Sequence, residues 1–159
     1  MDKLLKLLGT SASIRPDQLA PMLGISPAEV KKKIQQYEEE KVILGYKAVI
    51  NDEVAAPQTV KAAIEIGVRP ERSGGFNRTA ARIAKFEQVD SCFLMSGGYD
   101  LLLFVQGKNL REVASFVSEK LATLENVQST ATHFILKTYK TQGFLMAEDE
   151  ASDRLSVAP

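Results

Sequence analysis

One cysteine, Cys92, stands in 159 residues. A lone thiol excludes an intramolecular disulfide framework and fits a reducing cytoplasm, and on its strand Cys92 reads as a small core hydrophobe. There is also one histidine, His133, which in mid-strand reads as a surface or sheet residue. No nucleophile–base pair, metal-ligand cluster or phosphate loop is visible, so no catalytic residue, metal or cofactor is expected. Long apolar runs are missing too. None approaches the ~18–20 residues of a membrane-spanning helix, and no membrane partner is expected. The start, MDKLLKLLGTSAS, has an early aspartate and lacks the long apolar core and cleavage site of a secretory signal. Twenty Lys and Arg balance twenty Asp and Glu, so net charge does not point to nucleic acid. Residues 1–50 carry eight basic and six acidic side chains, the remainder twelve and fourteen, a weak asymmetry.

What is present begins with short helical patterns. Leu4, Leu5, Leu7 and Leu8 mark a first helix over Asp2–Leu8. Pro16 stands at a first helical position before Leu19, Met22 and Leu23, and Gly24 closes this second helix. Pro21 inside it removes one backbone bond and predicts a kink or a late start. Ser26-Pro27 with Glu29 gives an N-cap, a proline at the first position and an acid in the first turn. Val30, Ile34 and Tyr37 then recur on one face. Two helices separated by a short break form a helix-turn-helix layout, whose second helix enters the DNA major groove. Its opposite face carries Ala28, Lys32, Gln35, Gln36 and Glu39, flanked by Lys31 and Lys33. Lys and Gln suit phosphate and base edges, although a solvated helix face has the same composition. Glu38-Glu39-Glu40 limits groove contact to residues 26–36. The candidate DNA-contacting set is Ser26, Ala28, Glu29, Lys31, Lys32, Lys33, Gln35 and Gln36. Val42–Ile50 reads as a strand or wing.

The expected domain plan is a DNA-binding unit over 1–50, a linker over 51–58 ending near Pro57, a second domain over 59–142, and an acidic, mobile tail over 143–159. In the second domain Val60–Val68 alternates on a period of two, a half-buried strand. Ser73–Phe86 reads as a helix with Ala80, Ile83 and Ala84 inward. RSGGFNRT, residues 72–79, lacks both phosphate-loop patterns and reads as loop plus N-cap. Val89–Ser96 and Tyr99–Gln106 are strands around Gly97-Gly98. Asn109 and Glu112 start a helix whose apolar face is Leu110, Val113, Ala114, Val117, Leu121 and Leu124. Val127–Tyr139 is the last strand. The order β-α-β-β-α-β predicts a ferredoxin-like α+β domain with two helices on one sheet face. A second copy would cover the other face, which predicts a dimer.

LAPMLGISPAEVKKKIQQYEEEKVILGY, SGGYDLLLFV and VQSTATHFILK, in that order, resemble the leucine-responsive regulatory protein/AsnC family of feast/famine transcription regulators. The resemblance covers roughly residues 2–140. It implies an N-terminal winged helix-turn-helix on double-stranded DNA, followed by an effector-binding and dimerisation domain. It also implies dimers that assemble further, as octamers or other rings, with an amino acid bound in clefts between dimers and lined by a G-x-Y-D turn. The recognition helix lacks the arginine such helices often use. The sirohaem decarboxylases resemble the same fold and supply an enzyme alternative; an amino-acid-sensing module with little DNA binding is a third.

Asp100 is the residue the resemblance explains. A charge at the mouth of an apolar strand needs a purpose. An amino-acid zwitterion offers one: its carboxylate to N–H groups at Gly97-Gly98, freed by close approach and positive φ, and its ammonium to Asp100. Ser96, Tyr99, Thr130 and Thr132 complete the candidate effector site. An aspartate beside a turn also commonly accepts turn N–H groups, and that reading stays open.

Overall fold

The structure is a computed structural model, and it describes residues 1–56, 58–70 and 75–146. The chain separates into two compact units, Met1–Val49 and Ile50–Pro159.

The first unit is three helices. In α1 (Lys3–Thr10), Asp2 caps the start by accepting the Leu4 N–H at 2.7 Å. In α2 (Pro16–Leu23), Pro21 sits in the second turn without breaking the helix. Its cost stays small because only one bond, to the carbonyl of exposed Asp17, is lost, and water can satisfy that oxygen. Gly24 ends α2 in the left-handed region at φ 69°, where a side chain would be strained. α3 (Pro27–Glu39) starts on a reciprocal cap: Ser26 Oγ accepts the Glu29 N–H, and a Glu29 carboxylate oxygen accepts the Ser26 N–H. Leu4, Leu8, Leu19, Ala20 and Val30 form the core, with Ile34, Tyr37 and Ile43 packed on it.

Val42–Ile50 is not a strand. The segment runs without a ladder partner, and Val42, Leu44, Tyr46 and Ile50 are exposed. Alternating apolar residues favour extended chain, but a strand needs a neighbour to take its backbone bonds.

The second unit opens with a short helix, α4 (Asp52–Ala55). Four strands follow: β1 (Val60–Val68), β2 (Val89–Leu94), β3 (Leu101–Gly107) and β4 (Val127–Phe134). They form one antiparallel sheet in the order β2-β3-β1-β4. Helices α5 (Asn77–Ile83) and α6 (Leu110–Phe116) enter between β1 and β2 and between β3 and β4. The core is on their side of the sheet: Ala62, Ile64, Ile66 and Val68 from β1, Leu101, Leu103 and Val105 from β3, with Ile83, Val113, Phe116, Leu121 and Leu124.

Several side chains face differently from the sequence expectation. Leu110 and Ala114 are exposed, while Phe116 is buried. The cause is a π turn over Val117–Leu121, where the Ala122 N–H donates to the Val117 carbonyl at 2.8 Å. One wider turn rotates the helix, so a single 3.6-residue stripe cannot describe both halves. On α5, Thr79 is buried and Ala84 is exposed. β4 stops at Phe134, not Tyr139, and a small hairpin of β5 (Lys140–Thr141) and β6 (Phe144–Leu145) follows. Gln142 and Gly143 at its turn both take positive φ, as a tight two-residue hairpin loop requires. Residues 143–146 therefore belong to a hairpin rather than to a tail; 147–159, Pro57, Arg72, Ser73 and Gly74 lie outside the described residues.

The sheet face away from α5 and α6 is laid out by the register. One row reads Phe93–Leu102–Glu65–Ala131, the next Ser91–Phe104–Ala63–His133. Phe93 and Phe104 meet edge to face at 6.3 Å, and both are exposed. No helix of the described residues is long and apolar enough to cross a membrane.

Candidate functional site

Two surfaces carry the residues singled out from the sequence. The first is the outer side of α3. Ala28, Lys31 and Lys32 are exposed there. The other members of the set hold intramolecular bonds. Ser26 and Glu29 are joined by the cap, and Ser26 Oγ donates to Glu29 Oε2 at 2.7 Å. These hydrogen bonds to Ser26 hold the Glu29 carboxyl below its usual range. Lys33 Nζ lies 3.8 Å from Asp2 Oδ2, which turns it toward the start of α1. Gln35 donates to Glu39 at 2.9 Å and Gln36 to Glu40 at 2.7 Å, each along the helix. The free cationic surface of α3 is thus narrower than the sequence set, centred on Lys31 and Lys32. Tyr46 closes back on the helix end, its hydroxyl donating to Glu38 at 2.9 Å. Burial, then that carboxylate, pushes the Tyr46 phenol up.

The second surface is the turn between β2 and β3. Here Asp100 has a structural task. Its Oδ2 accepts the Val68 N–H at 2.7 Å, its own N–H donates to the Ile66 carbonyl at 3.0 Å, and its carbonyl accepts the Met95 N–H at 2.8 Å. The ladder of β1 with β3 ends at Ile66 and Leu101, which leaves backbone groups of β1 beyond it without a strand partner on that side. Asp100 takes up one of them. The carboxylate-accepts-N–H alternative left open by the sequence is therefore realised, although with a neighbouring strand rather than within the turn.

Ser96, Gly97 and Gly98 are exposed, Tyr99 and Asp100 half-buried. Neither glycine lies at positive φ, contrary to the expectation, and a Cβ built on either would meet open space. The fold makes no demand for glycine at 97 or 98, so the room above them is available to something outside the chain. Thr130 and Thr132 are half-buried on β4, opposite Ile66 and Ile64. Leu101 pairs with Ile66 from the other side, so Thr130 and the SGGYD turn share one end of the sheet with β1 between them. Sequence reasoning did not anticipate Val68, because its role is a backbone N–H beyond the end of the β1–β3 ladder. Among the described residues, no group of three or more His, Cys, Asp or Glu could hold a metal ion. Cys92 is half-buried, and burial pushes its thiol up.

Comparison with known proteins bears on both surfaces. Residues 61–144 match the model of the Lrp/AsnC ligand binding domain. The chain is 41% identical over 158 residues to an HTH-type transcriptional regulator of Bacillus subtilis, YugG, covering 99% of this chain and 95% of that one. It is 30% identical over 138 residues to the leucine-responsive regulatory protein of Rhizobium meliloti, covering 87% and 88%. Among solved structures, the feast or famine regulatory protein of M. tuberculosis complexed with L-methionine superposes with a TM-score of 0.71 at 26% identity, over 87% of this chain and 90% of that one.

Proposed function

The chain belongs to the Lrp/AsnC family, and from that premise we propose that it is a DNA-binding transcription regulator whose assembly or DNA binding is tuned by a small effector, an amino acid. The observation that carries this reading is the α2–Gly24–α3 pair in a chain that matches a named HTH-type transcriptional regulator over 99% of its own length and 95% of that protein's. α3 acts as recognition helix and enters the major groove by its first two turns. Lys31 and Lys32 hold phosphates, Ala28 permits close approach, and Gln35 and Gln36 reach base edges by exchanging their bonds to Glu39 and Glu40. Ser26 and Glu29 fix the helix start.

The effector site lies at the SGGYD turn. A ligand carboxylate takes N–H groups at Gly97-Gly98, and its ammonium takes the lone pairs of Asp100 that the Val68 N–H leaves unused. Ser96, Tyr99, Thr130 and Thr132 border it. The presence of L-methionine in a related regulator's structure supports an amino acid as the ligand class. The open sheet face, with Phe93, Leu102 and Phe104, seats a second copy, and dimers assemble further into rings.

A mobility-shift assay on the DNA upstream of the chain's own coding region tests this, at low and moderate salt, with each of the twenty amino acids. The expected result is a shift that weakens with salt and changes with at least one amino acid. No shift at low salt would overturn the DNA reading and leave an amino-acid-sensing module. A tetrapyrrole absorbance titration checks the decarboxylase alternative, and no spectral change is expected.

A further inference from the structure

We propose that the sheet-face dimer is proton-linked: two copies take up protons at His133 as they associate, and each protonated imidazole neutralises Glu65 inside the interface. The inference rests on the sheet-face dimer proposed above and adds its regulation.

Glu65 occupies the middle of the open face on an interior strand. Across the strands it faces Leu102 and Ala131, and its neighbours on the same side of β1 are Ala63 and Gly67. None of these offers a cation or a side-chain donor. The side chain is 35% exposed before any partner arrives, and His133 Nε2 lies 3.4 Å from its Oε1. Other charged groups among the described residues lie at or beyond the margins of the face: Arg69 follows the end of β1, and Lys137, beyond β4, lies over the Tyr139 ring. Lys61 on β1 is bonded to Asp52 of α4. β3 contributes Leu102, Phe104 and Gln106, which carry no charge. β2 contributes Ser91 and Phe93, and its Asp90 stands on the edge strand opposite β4. β4 adds Ser129 and Ala131 beside His133, followed by Ile135. Among the described residues, His133 is the group positioned to offset Glu65.

A second copy laid on Phe93, Leu102 and Phe104 removes water from Glu65. A carboxylate that loses water without gaining a cation opposes burial, whereas a neutral ion pair opposes it far less. Imidazole is the side chain that switches charge near neutral pH. With imidazole protonated, the pair enters the interface neutral; with it unprotonated, a net negative charge enters. The favourable contribution is thus fully present below the ordinary imidazole range and is lost as pH rises above it. The dimer tightens on acidification and loosens on alkalinisation.

The test is sedimentation velocity on the full chain, fluorescently labelled and diluted to nanomolar concentration, from pH 5.5 to 8.5 at constant ionic strength. The dissociation constant should rise at least about tenfold between pH 6 and pH 8, the equivalent of a displacement of one pH unit at one group. Glu65→Gln should abolish or reverse the dependence and tighten the dimer at pH 8. His133→Gln should flatten it and leave the dimer weak at every pH. A flat wild-type profile, or a wild-type slope in His133→Gln, would overturn the inference while the dimer stands. A monomer at every pH and at tens of micromolar would remove the dimer reading as well. If the dimer does not dissociate on dilution, the single histidine gives one imidazole proton signal by NMR. That signal should titrate at higher pH in the wild-type dimer than in Glu65→Gln, and equal midpoints would overturn the proposal.

Discussion

Asp100 accepts the Val68 N–H at 2.7 Å, and a carboxylate retains lone pairs after one such bond. Its two tasks separate by substitution. Asp100→Asn keeps an oxygen for Val68 and loses the charge, so stability by urea denaturation should fall by no more than ~1 kcal/mol. Asp100→Ala leaves the N–H without its partner and should cost ~1–3 kcal/mol. Both should weaken an amino-acid ligand by roughly 10- to 150-fold in calorimetry, the value of a lost charge-assisted bond. Asp100→Asn binding that matches wild type would remove Asp100 from the ligand site. At Gly98 the fold makes no claim on space or φ. Gly98→Val should therefore leave stability within ~0.5 kcal/mol while impairing ligand binding. The helix caps give a pH prediction. The Leu4 N–H bond holds the Asp2 carboxyl low, and bonds from Ser26 hold Glu29 low. A depressed carboxylate stabilises the fold above its unfolded range, near pH 4, and the contribution disappears as pH falls through its folded value. Helical circular dichroism should show acid melting shifted to higher pH in Glu29→Gln.

At the scale of elements, α3, β1 and the start of α6 were legible in the sequence, and the full facing of α6 and the segment after α3 were not. Proline at a first helical position, a serine cap and a glutamate three residues on are local signals, and the helix forms on them. β1 alternates over its whole length because one face is buried and the other is not. α6 misled because its register depends on a π turn that no residue type announces. Val42–Ile50 misled because alternation reports the tendency to extend, not the presence of a partner. The candidate site was legible as a turn with a charge, while the bond from Asp100 to Val68 depends on strand packing remote in sequence. These differences make a test on α6. Leu121→Ala should cost ~2–5 kcal/mol, as truncations in a full core do, whereas Leu110→Ala, at 56% exposure, should cost under ~0.5 kcal/mol by thermal denaturation. On α3, Lys31 and Lys32 are the exposed lysines not turned toward Asp2, so Lys31→Ala with Lys32→Ala should lower the slope of log affinity against log salt by ~0.9 for each phosphate contact removed. An unchanged slope would move the DNA surface off α3.

At the scale of the whole molecule, the question is why one chain should not suffice. A helix-turn-helix reads a half-site, and paired units read two half-sites set by the symmetry of the dimer. In the proposed dimer, the open sheet face is the pairing surface. Its apolar half lies on β2 and β3, where Phe93 and Phe104 are 49% and 36% exposed, and its charged half lies on β1 and β4. Phe104 projects away from the core, which Leu101, Leu103 and Val105 enter from the other side of the same strand. Phe104→Glu therefore places a carboxylate on the pairing surface without opening a cavity beneath it. A two-fold axis brings the same surface of the partner against it, and desolvation would leave the new charge uncompensated. Light scattering at micromolar concentration should give a one-chain mass for this variant and at least a two-chain mass for wild type, with the circular dichroism of the two alike. Separating the two recognition helices also removes the effective concentration that joins their binding. Affinity for a two-half-site duplex should then drop by on the order of 10²- to 10⁴-fold, with little change on a single half-site. A Phe104→Glu protein that remains dimeric would place the pairing surface elsewhere on the molecule. One that becomes monomeric yet keeps full affinity for the two-half-site duplex would mean that each recognition helix works alone.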